Sequence, residues 1–287
     1  MRTSYPLVFE CEGSSLVGII ERPEKPGIRA VLIVVGGPQY RVGSHRLFTI
    51  LSRSLADAGI VSMRFDHRGI GDSAGTSTFV ELSPDIRSAI DALIDYCPQV
   101  TEIVLWGLCD AASAAMMYAP TDKRVKGLVL LNPWVRSEQT LARSYFRGYY
   151  VRRLLSSGFW KQLMSGNLKL GRALGSIAND ARSAISTAKA SHEATGAQTQ
   201  GSLPGQFQVR MMNGLRDFPG RVLIVLSGND ITADEFRTFA NSRREYRRLL
   251  CRDGLELKSI AESDHTFSTK KWRNQVILWS EEWVTSW

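Results

Sequence analysis

The amino-acid sequence predicts an α/β fold, a mostly parallel central sheet flanked by helices, with an inserted helical cap. Three observations predict it. Short runs rich in apolar residues recur at 30–35, 60–65, 125–131 and 221–226, the first of them apolar throughout, as in a strand buried on both faces. Between them lie stretches whose apolar residues sit three and four apart, which is helical spacing. The alternation stops after Trp134 and resumes at about 220. Residues 1–134 and 220–287 are therefore expected to form the core, and 135–219 a helical cap inserted into it.

Length and composition bound what the chain can do. At 287 residues it can bury a large core as one α/β domain. Its 44% hydrophobic and 22% charged residues are ordinary for a globular protein, which argues against a disordered chain. No apolar run reaches the roughly 20 residues of a membrane span, and the N-terminus lacks a signal-peptide apolar stretch. A cytoplasmic location is expected. The four cysteines, Cys11, Cys97, Cys109 and Cys251, are far apart and without C-x-x-C spacing, so neither zinc nor a disulfide framework is expected. No cofactor or metal is called for.

The net charge of +8 raises the question of an anionic partner. Arginines cluster at 136, 143, 147, 152 and 153, and again at 243, 244, 247 and 248. No zinc-finger, RNA-recognition or helix-turn-helix signature accompanies them, so nucleic acid is not an expected partner. Two readings stay open for the first cluster: a solvated helix face, or a surface that meets an anionic substrate, carrier or membrane. Nothing in the sequence bears on the oligomeric state.

Taken in order, 5–11 and 15–22 read as an antiparallel hairpin at a sheet edge, turned by Glu12-Gly13-Ser14. The strand at 30–35 empties into Gly36-Gly37-Pro38-Gln39, where two glycines let the backbone approach a ligand or simply end the strand. A helix is expected from Ser44 to Ala58, closed by Gly59. The strand at 60–65 runs into a glycine-spaced polar loop, Asp66-His67-Arg68-Gly69-Ile70-Gly71-Asp72-Ser73. Residues 83–97 are helical up to Pro98. In the insertion, 135–165 reads as an amphipathic helix bearing Tyr145, Phe146, Tyr149 and Tyr150 among the arginines, while 175–206 is poor in large apolar groups. After the strand at 221–226, Thr232 and Glu235 suggest a capping box opening a helix that runs to about Cys251. A strand at 255–260 and a helix from Trp272 to Trp287 complete the chain.

The chemistry centres on Val104-Leu105-Trp106-Gly107-Leu108-Cys109-Asp110-Ala111-Ala112-Ser113-Ala114-Ala115. A buried run breaks at a glycine and resumes as small helix formers, the strand–turn–helix pattern of a nucleophile elbow, usually G-x-S-x-G. The turn brings strand and helix close together, and Gly107 and Ala111 supply the small flanks it needs. Cys109 holds the nucleophile's position; the other reading is an inert buried thiol. Two further polar residues stand at strand ends, Asp230 and His265, so that the order along the chain is Cys109, Asp230, His265. In a parallel sheet the carboxyl ends of the strands converge on one rim, where such residues can meet.

That order, the Gly36-Gly37-Pro38-Gln39-Tyr40-Arg41-Val42-Gly43-Ser44-His45 stretch, the 66–73 loop, Gly107-Leu108-Cys109-Asp110-Ala111, Asn132-Pro133-Trp134-Val135 and Asp264-His265-Thr266-Phe267-Ser268 together resemble an α/β hydrolase. More narrowly, they resemble the exosortase A system-associated hydrolases of bacteria, found near exopolysaccharide genes. Cys109 stands where the superfamily commonly has serine, and Gly36 where a histidine often precedes the oxyanion-hole glycine. The resemblance implies the α/β-hydrolase fold and structural work for Asp66 and Arg68, bracing loops around the site, which makes His67 a poor catalytic candidate.

The expected chemistry is a Cys109 thiolate formed by proton transfer to His265, with Asp230 fixing the imidazole. Asp234, nearby, is the competing acid, but its place in a first helical turn is explained by the dipole alone. Oxyanion donors would be the Asp110 N–H and, because Pro38 has none, that of Gly37 or Gln39. The substrate class is a small-molecule or carrier-bound acyl group in an ester, thioester or lactone. An acyltransferase or cyclase, and a non-catalytic binding protein on the same scaffold, are the alternatives. Arg147, Arg152 and Tyr149 are candidate substrate contacts in the cap; the competing reading is a shielding helix with solvated arginines.

Overall fold

The computed structural model describes residues 2–135 and 206–287. Eight strands form one sheet in the order β1-β2-β4-β3-β5-β6-β7-β8. They are β1 (Thr3–Cys11), β2 (Ser14–Arg22), β3 (Arg29–Val34), β4 (Val61–Phe65), β5 (Glu102–Leu108), β6 (Val125–Leu131), β7 (Arg221–Ser227) and β8 (Leu255–Ile260). The first two pair antiparallel, β2 joins β4 antiparallel, and every other pairing is parallel. The expected hairpin is thus the edge of an otherwise parallel sheet. Its turn residues Glu12 and Gly13 both have positive φ, 48° and 76°.

The apolar-rich runs are the central strands. Every residue of β4, and all but the first of β3, β5 and β7, is buried. Alternate side chains supply two cores. Val31, Ile33, Val104, Trp106, Val129 and Leu223 pack under α1 (Leu47–Asp57) and the C-terminal helix α7 (Lys270–Thr285). Their neighbours Leu32, Leu105, Leu128, Leu130 and Ile224 pack under α2 (Ser83–Tyr96) and α3 (Asp110–Tyr118). Burying one such aliphatic side chain contributes about 1.5–3 kcal/mol, so these layers dominate the stability of the sheet.

Two expected helices differ in detail. Residues 44–46 form a single 3-10 turn with His45 and Arg46 at positive φ, and the regular helix begins at Leu47. The helix expected to run from Thr232 to Cys251 is two helices, α5 (Ile231–Asn241) and α6 (Arg244–Leu250). Its N-cap is Asp230 rather than Thr232, because the Asp230 carboxylate accepts from the Thr232 and Ala233 amides. The break follows from side chains that take the last carbonyls of α5. Asn241 Nδ2 donates to Arg237 O at 2.8 Å, and Ser242 Oγ to Phe239 O at 2.6 Å.

Most of the expected cap, 136–205, lies outside the described residues. The remainder of 135–219 includes helix α4 (Gln206–Asp217), which packs on α3. Gly214 makes the crossing close: a Cβ there would overlap the Met116 carbonyl oxygen. Val135 is buried in the same core, and its carbonyl accepts from Gln208 Nε2 at 3.3 Å. No helix among the described residues is long and apolar enough to cross a membrane.

Candidate active site

The turn between β5 and α3 has the shape its sequence asks for. Cys109 sits there with φ 65° and ψ −125°, a conformation that L-residues rarely adopt. Neighbouring contacts hold it in place. Its amide donates to Leu131 O at 2.9 Å, and its carbonyl accepts from the amides of Ala112 at 3.1 Å and Trp134 at 3.2 Å. A Cβ on Gly107 would lie 2.7 Å from the Ala111 carbonyl carbon and 2.8 Å from Ala112 N. Strand and helix are therefore too close for any side chain at 107, which is the physical reason for the small flank. The helix that follows points the positive end of its dipole at the turn, a setting that favours an anion at Cys109.

Asp230 and His265 meet at the ends of the neighbouring strands β7 and β8. His265 Nδ1 lies 2.8 Å from Asp230 Oδ2. The same carboxylate caps α5, accepting from Thr232 N at 3.1 Å and Ala233 N at 3.2 Å. The Asp230 side chain is 7% exposed and that of His265 32%, so the contact is dry while the ring keeps an accessible edge. Asp234 is turned away and pairs with Arg237 at 2.8 Å.

Asn132 ties these two groups of residues together. It follows β6 with φ 44°, is fully buried, and accepts from Ser227 N at 2.8 Å. Its Nδ2 donates to Ser227 Oγ at 2.9 Å and to the His265 carbonyl at 3.1 Å. Ser227 Oγ in turn donates to Asp264 O at 2.8 Å. Since Leu131, the preceding residue, holds the Cys109 amide, one short stretch of chain links the Cys109 turn to the His265 loop. Phe267, buried two residues beyond His265, belongs to the apolar cluster on which Cys109 packs. Sequence reasoning did not single out Asn132 or Ser227. The Asn132-Pro133-Trp134 stretch at a strand end was the available signal, but its buried amide network is visible only in three dimensions.

The loop after β3 differs from the simple expectation. The Gly37 amide, a candidate oxyanion donor, is given to Asp110 Oδ2 at 3.0 Å. Asp110 Oδ1 accepts from Ala111 N at 2.8 Å. A Cβ on Gly36 would overlap Asp110 Oδ1, so glycine at 36 and a carboxylate at 110 fill one space between them. Burial pushes the Asp110 pKa up, against the Gly37 and Ala111 amides that pull it down. Gln39, the other candidate donor, uses its side-chain Oε1 to accept from Ser44 N at 3.0 Å.

The 66–73 loop is braced as its resemblance implies. Asp66 accepts from the Arg41 amide at 2.6 Å, from the Arg41 guanidinium and from Asp72 N at 3.1 Å. Arg68 clasps the buried Asp85 and also reaches Glu12. His67 is buried with Nδ1 2.9 Å from Arg68 O, and burial lowers its pKa. Among the described residues no group of His, Cys, Asp and Glu is arranged to hold a metal ion. Arg147, Arg152 and Tyr149 lie outside the described residues.

Solved structures similar to this chain share the architecture. The esterase Pf2001 of Pyrococcus furiosus aligns at 15% identity with a TM-score of 0.65, covering 99% of this chain and 91% of that one. Est1E of Butyrivibrio proteoclasticus, bound to ferulic acid, aligns at 16% identity with a TM-score of 0.61, covering 98% of both. An alpha-beta serine hydrolase homologue from Coxiella burnetii aligns at 14% identity and a TM-score of 0.53, covering 98% of this chain and 96% of that one. No curated protein sequence matches the chain. The model of the serine aminopeptidase S33 family matches residues 28–265, a span that runs from the start of β3 through the Cys109 turn and Asp230 to His265. The chain belongs to that family and is a hydrolase with the α/β-hydrolase fold.

Proposed function

We propose that this hydrolase is cysteine-dependent and acts on an ester, thioester or lactone through a covalent acyl-enzyme. The observation that carries the reading is the strained backbone at Cys109, at the mouth of α3, tied through Leu131 and Asn132 to the loop bearing an Asp230-bonded His265. Strain of this kind persists only where surrounding contacts over-determine it, and it concentrates at reacting positions. His265, with Nδ1 directed at Asp230, presents Nε2 as the base. The thiol gives its proton to Nε2, and the sulfur adds to the acyl carbon. The carbonyl oxygen, now an anion, draws on backbone amides that include that of Asp110. Collapse expels the alkoxide or thiolate, which takes the proton from His265. Water, deprotonated by the same imidazole, then releases the acid and restores the thiol. The resemblance to the exosortase A system-associated hydrolases supports cysteine as the working residue at the elbow and an acyl substrate in an exopolysaccharide setting.

Intact-mass measurement after exposure to a panel of acyl thioesters, esters and lactones tests the reading. A single acyl adduct is expected on wild type, mapped to Cys109, decaying in water and absent from Cys109→Ala. Turnover should vanish in that variant, while Cys109→Ser keeps a small residual esterase rate. Wild-type rates in Cys109→Ala overturn the assignment. Decay that needs an added amine or alcohol makes the protein a transferase instead.

A further inference from the structure

One amide that should meet an oxyanion is already occupied. Asp110 Oδ2 takes the Gly37 N–H at 3.0 Å, and Oδ1 takes the Ala111 N–H at 2.8 Å. Gly37, at φ 60°, turns its N–H inward, and α3 begins at Asp110, so the donors form a concavity suited to an anion. The space is shaped for this guest, since any side chain on Gly36 would overlap Oδ1 and sit 2.8 Å from Ala111 N. The occupant is tethered, and a tethered group competes as though present at very high concentration.

We propose that the Asp110 side chain is a built-in occupant of the oxyanion hole, holding the Gly37 amide in the resting enzyme and yielding it when a substrate carbonyl enters. The proposal rests on Cys109 being the nucleophile. While the carboxylate stays, the tetrahedral intermediate faces a fixed negative charge and lacks the Gly37 donor. Each missing donor typically costs about 10²–10³ in rate. Once the side chain rotates out, the Gly37 amide joins that of Asp110 on the new oxyanion. Asp110 thereby sets which acyl groups react: those that bind well enough to displace it. Burial, which pushes the Asp110 pKa up, favours the neutral carboxyl that grips amides less tightly, and the bonds from the Gly37 and Ala111 amides oppose it.

The test compares Asp110→Asn and Asp110→Ser with wild type in two reactions at Cys109. One is acylation by p-nitrophenyl acetate, which needs the oxyanion hole; the other is alkylation by iodoacetamide, which does not. The ratio of the two rates cancels any change in thiolate fraction, and it is expected to rise at least about tenfold in either variant. An unchanged or lower ratio overturns the proposal and makes Asp110 a brace between the two loops. An acyl adduct missing from Cys109 in every variant, with alkylation intact, overturns the nucleophile reading as well. A second measurement keeps the wild-type chain. A trifluoromethyl ketone should add the Cys109 sulfur to its carbonyl carbon, the displaced electron pair residing on oxygen. A crystal structure of that adduct should show the Gly37 N–H on the new oxygen and Asp110 rotated away. Asp110 still seated on Gly37, with the oxygen elsewhere, overturns the proposal.

Discussion

Asp230 divides one carboxylate between two tasks: it accepts from His265 Nδ1 at 2.8 Å and caps the first turn of α5 through Thr232 and Ala233. The cap fixes the carboxylate before the imidazole arrives. A rigid acceptor aligns a histidine better than a free side chain, because no rotamer entropy is lost on pairing.

The two tasks separate by substitution. Asparagine caps helices about as well as aspartate. Asp230→Asn should therefore unfold at nearly the wild-type temperature while kcat falls about 10²–10⁴-fold, since the imidazolium loses its counter-charge. Asp230→Ala should add roughly 0.5–2 kcal/mol of destabilisation from the lost cap. Asp234→Asn, where the exposed Asp234 pairs with the half-buried Arg237, should change kcat by less than about twofold. A larger loss at Asp234 than at Asp230 reverses the choice of acid.

Gly107 tests the closeness of strand and helix at the elbow. A methyl group there meets backbone, the Ala111 carbonyl carbon at 2.7 Å, and backbone cannot swing aside. Gly107→Ala should cost about 1–3 kcal/mol in urea unfolding and lower the rate of Cys109 acylation as the turn shifts. Wild-type stability with wild-type labelling would show that the turn tolerates the extra atom.

Asn132 should matter to both stability and rate. Asn132→Ala leaves the Ser227 amide, a buried donor, without its partner, at a cost of about 1–3 kcal/mol. It also frees the His265 loop, so kcat should fall in proportion to the loss of imidazole alignment while KM changes little. Asn132→Asp keeps the acceptor for Ser227 N but loses the donor to His265 O. It should recover less activity than stability. Equal recovery of both sinks the coupling.

Acid stability should report on Asp122, remote from the site. Its burial would raise its pKa, but bonds from Arg124 and Tyr118 outweigh that and hold it at about 2, below the ordinary 3.8. A depressed carboxylate stabilises the fold above the unfolded value. The contribution is full above about pH 4 and is lost as pH falls through about 2; it amounts to roughly 2 kcal/mol. Asp122→Asn should lower stability at pH 7 and flatten the acid limb between those values. A variant whose acid limb matches wild type refutes the assignment.

The sequence by itself determined the sheet. Runs such as 30–35 and 222–226 are apolar at every position because both faces are covered, and that demand is local to each strand. The elbow was legible for the same kind of reason: Gly107, Cys109 and Ala111 are neighbours, and their sizes describe the turn they make. Asp230 could be read as an acid at a strand end, but its role as the α5 cap displaced the capping box that Thr232 and Glu235 suggest, since the choice depends on where one carboxylate points. Tertiary structure alone decided the Asn132 network, the break between α5 and α6, and the seat of Asp110 on the Gly37 amide. The first and last join groups remote in the chain, the break turns on which carbonyls Asn241 and Ser242 take, and a hydrogen bond depends on direction and distance to a few tenths of an ångström. Hydrophobic periodicity carries no such information, so the places of the strands along the chain could be foreseen while the direction of the amides between them could not.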